Sequence, residues 1–302
     1  MAIVLGILEE GLVYAIMALG VYITYSILDF PDLSVDSTFP LGGAVTVSLI
    51  LLGVPPLLTL LIAFAVGAMA GVITGLIHVK LRVRDLLSGI IVMTGLYSVN
   101  LRLAGGKANV PIFSKETIFD NAFLKSFVPE SLTLYLPLII LFIIVCIVKL
   151  ILDLYMKTRS GYLLRAVGDN DTLVTSLAKD KGSVKIVGLA IANGLAALAG
   201  CVYCQQKGFF EISMGTGAIV IGLANVIIGT KLFKRWGFVK TTTAVVFGSI
   251  IYKTCISLAI TFGLNKSSIK INASDLKLIT SMLFLLILVV SNNKRKKVIP
   301  HA

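Results

Sequence analysis

Two stretches of the chain set an acid and a serine at the same spacing: Asp32-Leu33-Ser34-Val35-Asp36-Ser37 and Glu211-Ile212-Ser213-Met214-Gly215-Thr216. Both read acid, aliphatic, Ser, apolar, turn residue, hydroxyl. Side chains of this kind can cap the backbone N–H groups of a following helix. They can also line a polar route through an apolar interior. Neither use makes or breaks a covalent bond, and groups that would do so are not found at working spacings. The histidines, His78 and His301, have no metal-site partner by spacing. The chain contains no G-x-S-x-G, no H-E-x-x-H and no G-x-x-x-x-G-K-[ST], the motifs of a nucleophile elbow, a zinc peptidase and an ATP phosphate cradle. Cys201-x-x-Cys204 has redox or metal spacing. It closes an apolar helix with no second pair and no nearby His, which favours small buried packing residues. The expectation is a protein that is not an enzyme and binds no cofactor itself.

The elements that position these residues are apolar. Of 302 residues, 57% are hydrophobic and 14% charged, with a mean hydropathy of +0.98. A soluble domain is about 45–50% apolar and about 25% charged. Crossing a bilayer takes ~20 apolar helical residues, and candidate spans fall at 7–28, 38–53, 56–79, 86–104, 133–153, 186–204, 214–230, 238–262 and 276–292. The two short ones, 38–53 and 214–230, are those that follow or include the acid–serine stretches. The fold predicted is an all-α integral membrane protein of the cell membrane. It has about nine to ten transmembrane helices, inverted repeats and two short broken helices in a single domain over 1–302. The first residues carry no basic region and no small-residue cleavage site, so no removable signal is expected.

The net charge of +12 does not point to nucleic acid, because the basic residues lie in short loops where they set topology. With the C-terminus inside and one crossing per segment, eighteen of the 27 Lys and Arg face inward and eight outward, with Lys253 inside a span. That bias places the tail, with its Lys294-Arg295-Lys296-Lys297 anchor, in the cytoplasm and the N-terminus outside. The Asp32 stretch then lies toward the cytoplasm and the Glu211 stretch toward the outside, as inverted halves require. Transporters of that design run their substrate route past the broken helices. Polar groups are costly in lipid unless they face protein or a cavity. Asp32, Ser34, Glu211 and Ser213, with Asn100, Asn193 and Gln205 nearby, are therefore the candidate pathway residues. Small residues recur every fourth position at Ala63, Gly67, Gly71, Gly75 and at Gly188, Ala192, Ala196, Gly200. Such stripes let helix backbones approach closely, and packing inside one bundle is the expected use. Lys253 is expected to snorkel outward.

The longest inner loop, 154–185, is the most specific stretch. Gly168, Asp169 and Asn170 predict a turn with capping side chains. Leu173, Val174 and Leu177 then repeat at helical spacing, and Gly182 is a helix stop. This describes a short amphipathic helix below the membrane, suited to a groove on a partner or to the lipid surface. The run T-R-S-G-x-x-x-R-A-V-G-D-N from Thr158 to Asn170 resembles the coupling-loop motif of ATP-binding-cassette importer permeases of the ribose and branched-chain amino acid family. The blocks F-P-D-L-S-V-D at 30–36, L-L-S-G-I-I-V-M-T-G-L-Y-S-V-N-L-R at 86–102 and G-F-F-E-I-S-M-G-T-G-A-I-V-I-G-L-A at 208–224 extend the likeness over nearly the whole chain. The branch labelled tryptophan/tyrosine-type is the nearer match.

The resemblance implies a division of labour. A separate ATPase uses ATP and magnesium below the membrane. An extracytoplasmic binding protein delivers a small solute, such as an amino acid, above it. This chain supplies the pathway, as two copies embedded in membrane lipid. Arg165, Gly168, Asp169, Asn170, Leu173 and Leu177 become the residues that couple to the ATPase. The outer loop 105–132, with Lys107, Lys115, Glu116 and Asp120 among its charges, becomes the docking surface for the binding protein. The rival function is an ion-coupled secondary transporter, which needs an ionisable group within the membrane.

The topology is testable with single cysteines in a background lacking the native four. Ser114→Cys should react with an impermeant thiol reagent added outside intact cells, and Ser176→Cys should react only after permeabilisation. Equal labelling of both from outside would contradict the orientation.

Overall fold

A computed structural model describes residues 2–121, 129–169, 180–233 and 239–266, together with 278, 280–282, 284–285 and 288–289, which are helical. The first span is α1 (Ala2–Val21) continued by a π-helical turn, Tyr22–Ile27. Then come α2 (Val35–Leu51), α3 (Pro56–Val79), α4 (Asp85–Leu103), β1 (Asn109–Pro111), α5 (Leu136–Tyr155), α6 (Arg159–Asp169), α7 (Lys181–Lys207), β2 (Phe209–Glu211), α8 (Ala218–Leu232) and α9 (Thr241–Lys266). Seven helical stretches among the described residues are long and apolar enough to cross a membrane, and α2 is a shorter eighth. Of the expected span at 276–292, residues 278, 280–282, 284–285 and 288–289 are described and helical, and the others lie outside the described residues.

The breaks arise where the sequence cannot continue a helix. In the π turn, Leu28 N–H reaches back five residues to Ile23 O at 3.0 Å, and Phe30 N–H bonds Thr24 O at 2.9 Å. Asp29 then takes a left-handed φ of 51°, and the chain turns back to start α2 at Val35. In the second half, α7 ends at Gly208 (φ 75°), and a one-turn 3-10 helix, Ile212–Gly215, precedes α8. β1 and β2 pair antiparallel, Val110 opposite Phe210, so the outer loop is stapled to the end of α7. This ribbon is the sole sheet among the described residues.

The two halves are interlocked and inverted. α3 packs on α7 as α9 packs on α1; α2 packs on α7 as α8 packs on α1. α1 and α7 run antiparallel: Glu10 meets Lys207 at one end and Gly20 meets Ala192 further along. The Asp32 break and the Glu211 break therefore lie toward opposite ends of the bundle.

Both small-residue stripes are buried inside this bundle. Gly67 and Gly71 lie against the carbonyls of Asn193 and Leu189, while Gly200 and Gly188 face Phe39 and Leu28 on the other side of α7.

The 154–185 segment differs from its sequence reading. A helix that the sequence pattern did not announce begins at Arg159, where Thr158 caps it: the Gly161 N–H donates to Thr158 Oγ1 at 3.3 Å; the helix expected over Leu173, Val174 and Leu177 lies outside the described residues. Gly168 and Asp169 thus lie in the last turn of a helix and not in an opening turn. Gly182 does not end a helix either. It lies in the first turn of α7, where Asp180 accepts from Gly182 N at 2.9 Å and Ser183 N at 3.2 Å. These hydrogen bonds, with one from Ser183 Oγ first among them, hold the Asp180 carboxyl below its ordinary range, so the cap is intact down to that range and weakens as pH falls below it. Asn170, Leu173 and Leu177 lie outside the described residues.

Close approach of α2 to α7 gives a clean test. A Cβ on Gly42 would stand 1.8 Å from Ala197 O, whereas one on Gly95 meets nothing within 4 Å. Gly42→Ala should lower stability by about 1–3 kcal/mol, as overpacking does. Gly95→Ala should be neutral or gain up to ~1 kcal/mol from helix propensity. Thermal melting of the two variants in one detergent checks this; equal midpoints would contradict the packing.

Candidate functional site

The first break is organised by Asp32. The Asp32 side chain is fully buried, and its Oδ1 accepts from Ser34 N at 2.9 Å and Ser34 Oγ at 2.6 Å. Its Oδ2 accepts from Asn193 Nδ2 at 2.7 Å, and Asn193 Nδ2 also donates to Leu189 O at 3.1 Å. Ser34 Oγ lies 3.0 Å from Asn193 Oδ1. Asp32, Ser34 and Asn193 thus form one cluster joining the start of α2 to the middle of α7. Asn100 on α4 lies one layer away. It is fully buried and its Nδ2 donates to Ser37 O at 2.9 Å, while its Oδ1 has no hydrogen-bond partner. Gly89 of α4 comes close enough that a Cβ there would stand 2.8 Å from Leu33 N.

The second break repeats the local bond: Ser213 Oγ donates to Glu211 Oε1. Here the surroundings differ, because Ser213 is exposed and Glu211 half-buried. Neither caps α8. That role falls to Asp36 of the first half, which accepts from Gly217 N at 3.2 Å and Ile219 N at 2.8 Å. The capping alternative read from sequence for Asp32 and Glu211 is therefore met, for α8, by a residue from the other half. Pro40 helps the breaks to meet. It cannot donate to Asp36 O, and Gly215 sits so close to that oxygen that a Cβ would stand 2.0 Å away.

Gln205 belongs elsewhere. Its Nε2 donates to Thr59 Oγ1 at 2.9 Å and its Oε1 accepts from Ile118 N at 3.0 Å. It ties α3, α7 and the outer loop near the ribbon, beside the buried free thiol of Cys201. Lys253 does not snorkel. Its Nζ lies 3.0 Å from Glu10 Oε2 and 4.3 Å from the centre of the Tyr14 ring, and Lys207 holds the other Glu10 oxygen at 2.5 Å. A positive charge over an aromatic face and beside a carboxylate is stabilised where it stands. The sequence reading passed over Glu10 because it lies near the start of an apolar span.

At the opposite end, α6 lies across the π turn. Leu164 and Val167 are buried, and Gly168 approaches Ile27 O so closely that a Cβ would stand 1.5 Å from it. Arg165 is exposed on the other face. His78 bonds Val83 O through Nδ1 at 2.9 Å and meets Phe30 edge-on at 5.0 Å. Among the described residues no group of three or more His, Cys, Asp or Glu is placed to hold a metal ion.

Interlocked inverted halves whose breaks carry satisfied polar groups, crossing a bilayer several times, define a multi-pass membrane transport protein. The family described as the branched-chain amino acid transport system permease component matches residues 3–291, and the chain belongs to it. A tyrosine transport system permease protein of Clostridioides difficile (strain R20291) is 40% identical, over 96% of this chain and 91% of that one. The ribose import permease protein RbsC of Escherichia coli (strain K12) is 29% identical over 74% of this chain and 67% of its own length. A probable branched-chain amino acid transport permease protein, LivH, of Methanocaldococcus jannaschii is 28% identical over 71% and 70%. The fold is also that of a chain in the structure of PsaBC from Streptococcus pneumoniae in complex with Fab, at a TM-score of 0.51 and 13% identity, covering 93% of this chain and 89% of that one.

The Asp32 cluster predicts a stability effect at a distance from α2. Asn193→Ala removes the donor to Asp32 Oδ2 and should cost about 1–3 kcal/mol, the penalty for leaving a buried acceptor without its partner. Asn193→Asp, which sets two carboxyls face to face, should cost at least as much at neutral pH. A melting midpoint unchanged in both variants would show that the carboxylate does not depend on α7.

Proposed function

We propose that this chain, as an ATP-binding-cassette importer permease, carries tyrosine or a closely related aromatic amino acid across the membrane. The observation that carries the solute is the 40% identity, over 96% of the chain, to a tyrosine transport system permease protein. The chain acts as one domain and as two copies, is not itself an enzyme, and draws its energy from a separate ATPase that binds ATP and magnesium. An extracytoplasmic binding protein delivers the solute onto the outer loop. Pairing of Asn109–Pro111 with Phe209–Glu211 supports that use, because it links the loop to the second break.

The coupling proposal is mechanical. The segment that meets the ATPase includes Asn170, Leu173 and Leu177, directly after α6. α6 ends with Arg165 exposed and with Gly168 and Asp169 at its last turn. Gly168 rests on the Ile27 carbonyl, and five residues later the chain reaches Asp32. A push on α6 therefore reaches the first break through backbone contact. Asp32, Ser34 and Asn193 form the inner part of the proposed route, and Asn100, bonded to Ser37 O further along α2, continues it outward. Glu211 and Ser213 form the outer part, and Gln205 braces the wall beside it.

The second reading, an ion-coupled carrier, draws on the Glu10–Lys253 pair as an intramembrane ionisable site. Reconstitution with the cognate ATPase and binding protein separates the two. Tyrosine uptake should require ATP and the binding protein, and an imposed proton or sodium gradient alone should give none. Uptake driven by a gradient without ATP would overturn the proposal. Gly168→Val should insert normally yet reduce solute-stimulated ATP hydrolysis by about 2- to 30-fold, the span of ~0.5–2 kcal/mol of lost coupling. Leu173→Asp should act in the same direction by weakening ATPase binding.

A further inference from the structure

Where α5 ends and α9 begins, a cleft of about 360 Å³ opens beside α6 and the π turn. Its lining includes Lys157, Arg165 and Lys240, with Tyr22, Tyr162 and Thr241 beside them. The one carboxylate lining it, Asp153, is already committed. It accepts from Thr242 Oγ1 at 2.6 Å, Lys149 Nζ at 3.0 Å and Lys240 Nζ at 3.2 Å. Asp153 thus clamps α5 to α9 and steadies Lys240 in the lining. Lys157 and Arg165 have no carboxylate partner among the described residues. The cleft therefore presents uncompensated positive charge and several hydrogen-bond donors to whatever enters it.

We infer that this cleft binds the phosphate headgroup of an anionic phospholipid. Two observations select a lipid over other anions. The cleft lies at the ends of two helices that cross the membrane, Thr133–Tyr155 and Thr241–Ala259, which is headgroup level. The end is rich in Lys and Arg, the signature of the cytoplasmic leaflet, whose anionic lipids attract such clusters. The cleft side of α5 and of the turn that follows it, Asp153, Met156 and Lys157, borders an outward apolar face. Ile147, Ile151 and Leu154 on that face are exposed by 53%, 60% and 56%. A headgroup in the cleft leaves its acyl chains lying along these three side chains, so polar and apolar parts of one ligand are both accommodated. Tyr22 and Tyr162 suit this boundary, where an apolar ring carries a polar tip. The occupied cleft would hold α6, α5 and α9 together at the point where α6 bears on the π turn. Lipid composition would then tune how firmly α6 is seated.

The test uses the full-length protein purified in detergent and titrated with dioleoylphosphatidylglycerol or dioleoylphosphatidylcholine, with bound lipid counted by native mass spectrometry. Wild type should retain the phosphatidylglycerol and not the phosphatidylcholine. Lys157→Gln should weaken that retention by about fivefold, the effect of one cation near an anionic surface, with no change in melting midpoint. Lys80→Gln, at the same end but away from the cleft, should leave retention unchanged. Equal retention of the two lipids by wild type would overturn the inference, and this readout needs no variant. Displacement of phosphatidylglycerol by millimolar inorganic phosphate would assign the cleft to a free anion and overturn it also. So would a Lys157→Gln protein that keeps its lipid but no longer assembles with the ATPase, since the cleft would then be a protein-docking surface.

Discussion

Backbone polar groups cannot be left open in hydrocarbon, and this chain interrupts two of its helices inside the membrane. Each unsatisfied group there costs several kcal/mol, so each break must carry its own partners. At the first, Asp32 accepts from Ser34 N and Oγ and from Asn193. At the second, Glu211 accepts from Ser213 Oγ, and the exposed N–H groups at the start of α8 are met by Asp36. The two breaks are thus not independent. The acid that completes the second is borne by the helix that the first one launches, and neither half can form its break in final shape without the other.

That dependence explains why α7 is lined with glycine and alanine on two faces. α2 must come near enough for Ser34 to reach Asn193, and α3 must close the opposite side. Gly42 and Gly200 bring the α2 and α7 backbones together, and Gly67 and Gly71 do the same for α3. In a bilayer, apolar surface alone gives helices no reason to associate, since lipid is as apolar as leucine. Close backbone contact and interhelical hydrogen bonds supply the attraction. A polar cluster and a small-residue stripe are two parts of one device here: the stripe sets the distance at which the polar groups can bond. The same logic extends to Gly168, where a missing side chain lets α6 rest on the carbonyl of Ile27.

Much of this was readable from local pattern. The apolar runs gave the spans, the spacing of Ala63 to Gly75 gave a packing face, and the matched acid–serine stretches gave the repeat. Local reading failed where a different local signal competed. The helix α6 was missed because Gly168-Asp169-Asn170 looks like a turn, while Thr158, ten residues earlier, is a hydroxyl residue of the kind that caps a helix start. Gly182 looked like a helix stop until Asp180 is recognised as an N-cap. Lys253 looked isolated because its partner, Glu10, is 243 residues away along the chain.

The sequence by itself determined that this is a membrane protein with repeated, broken helices, because hydrophobic length and small-residue periodicity are local quantities. Local acid–serine bonding at both breaks was also within its reach, two residues apart in each case. Only the tertiary structure decided which of the polar residues share a site. Asp32 meets Asn193 and Asp36 caps α8 because inverted halves interlock across α7, while Gln205, equally polar and equally placed on α7, faces α3 and the outer loop. The physical reason is that a hydrogen bond is set by a few ångströms of separation and a direction, and for residues far apart in the chain that geometry is fixed by how helices cross.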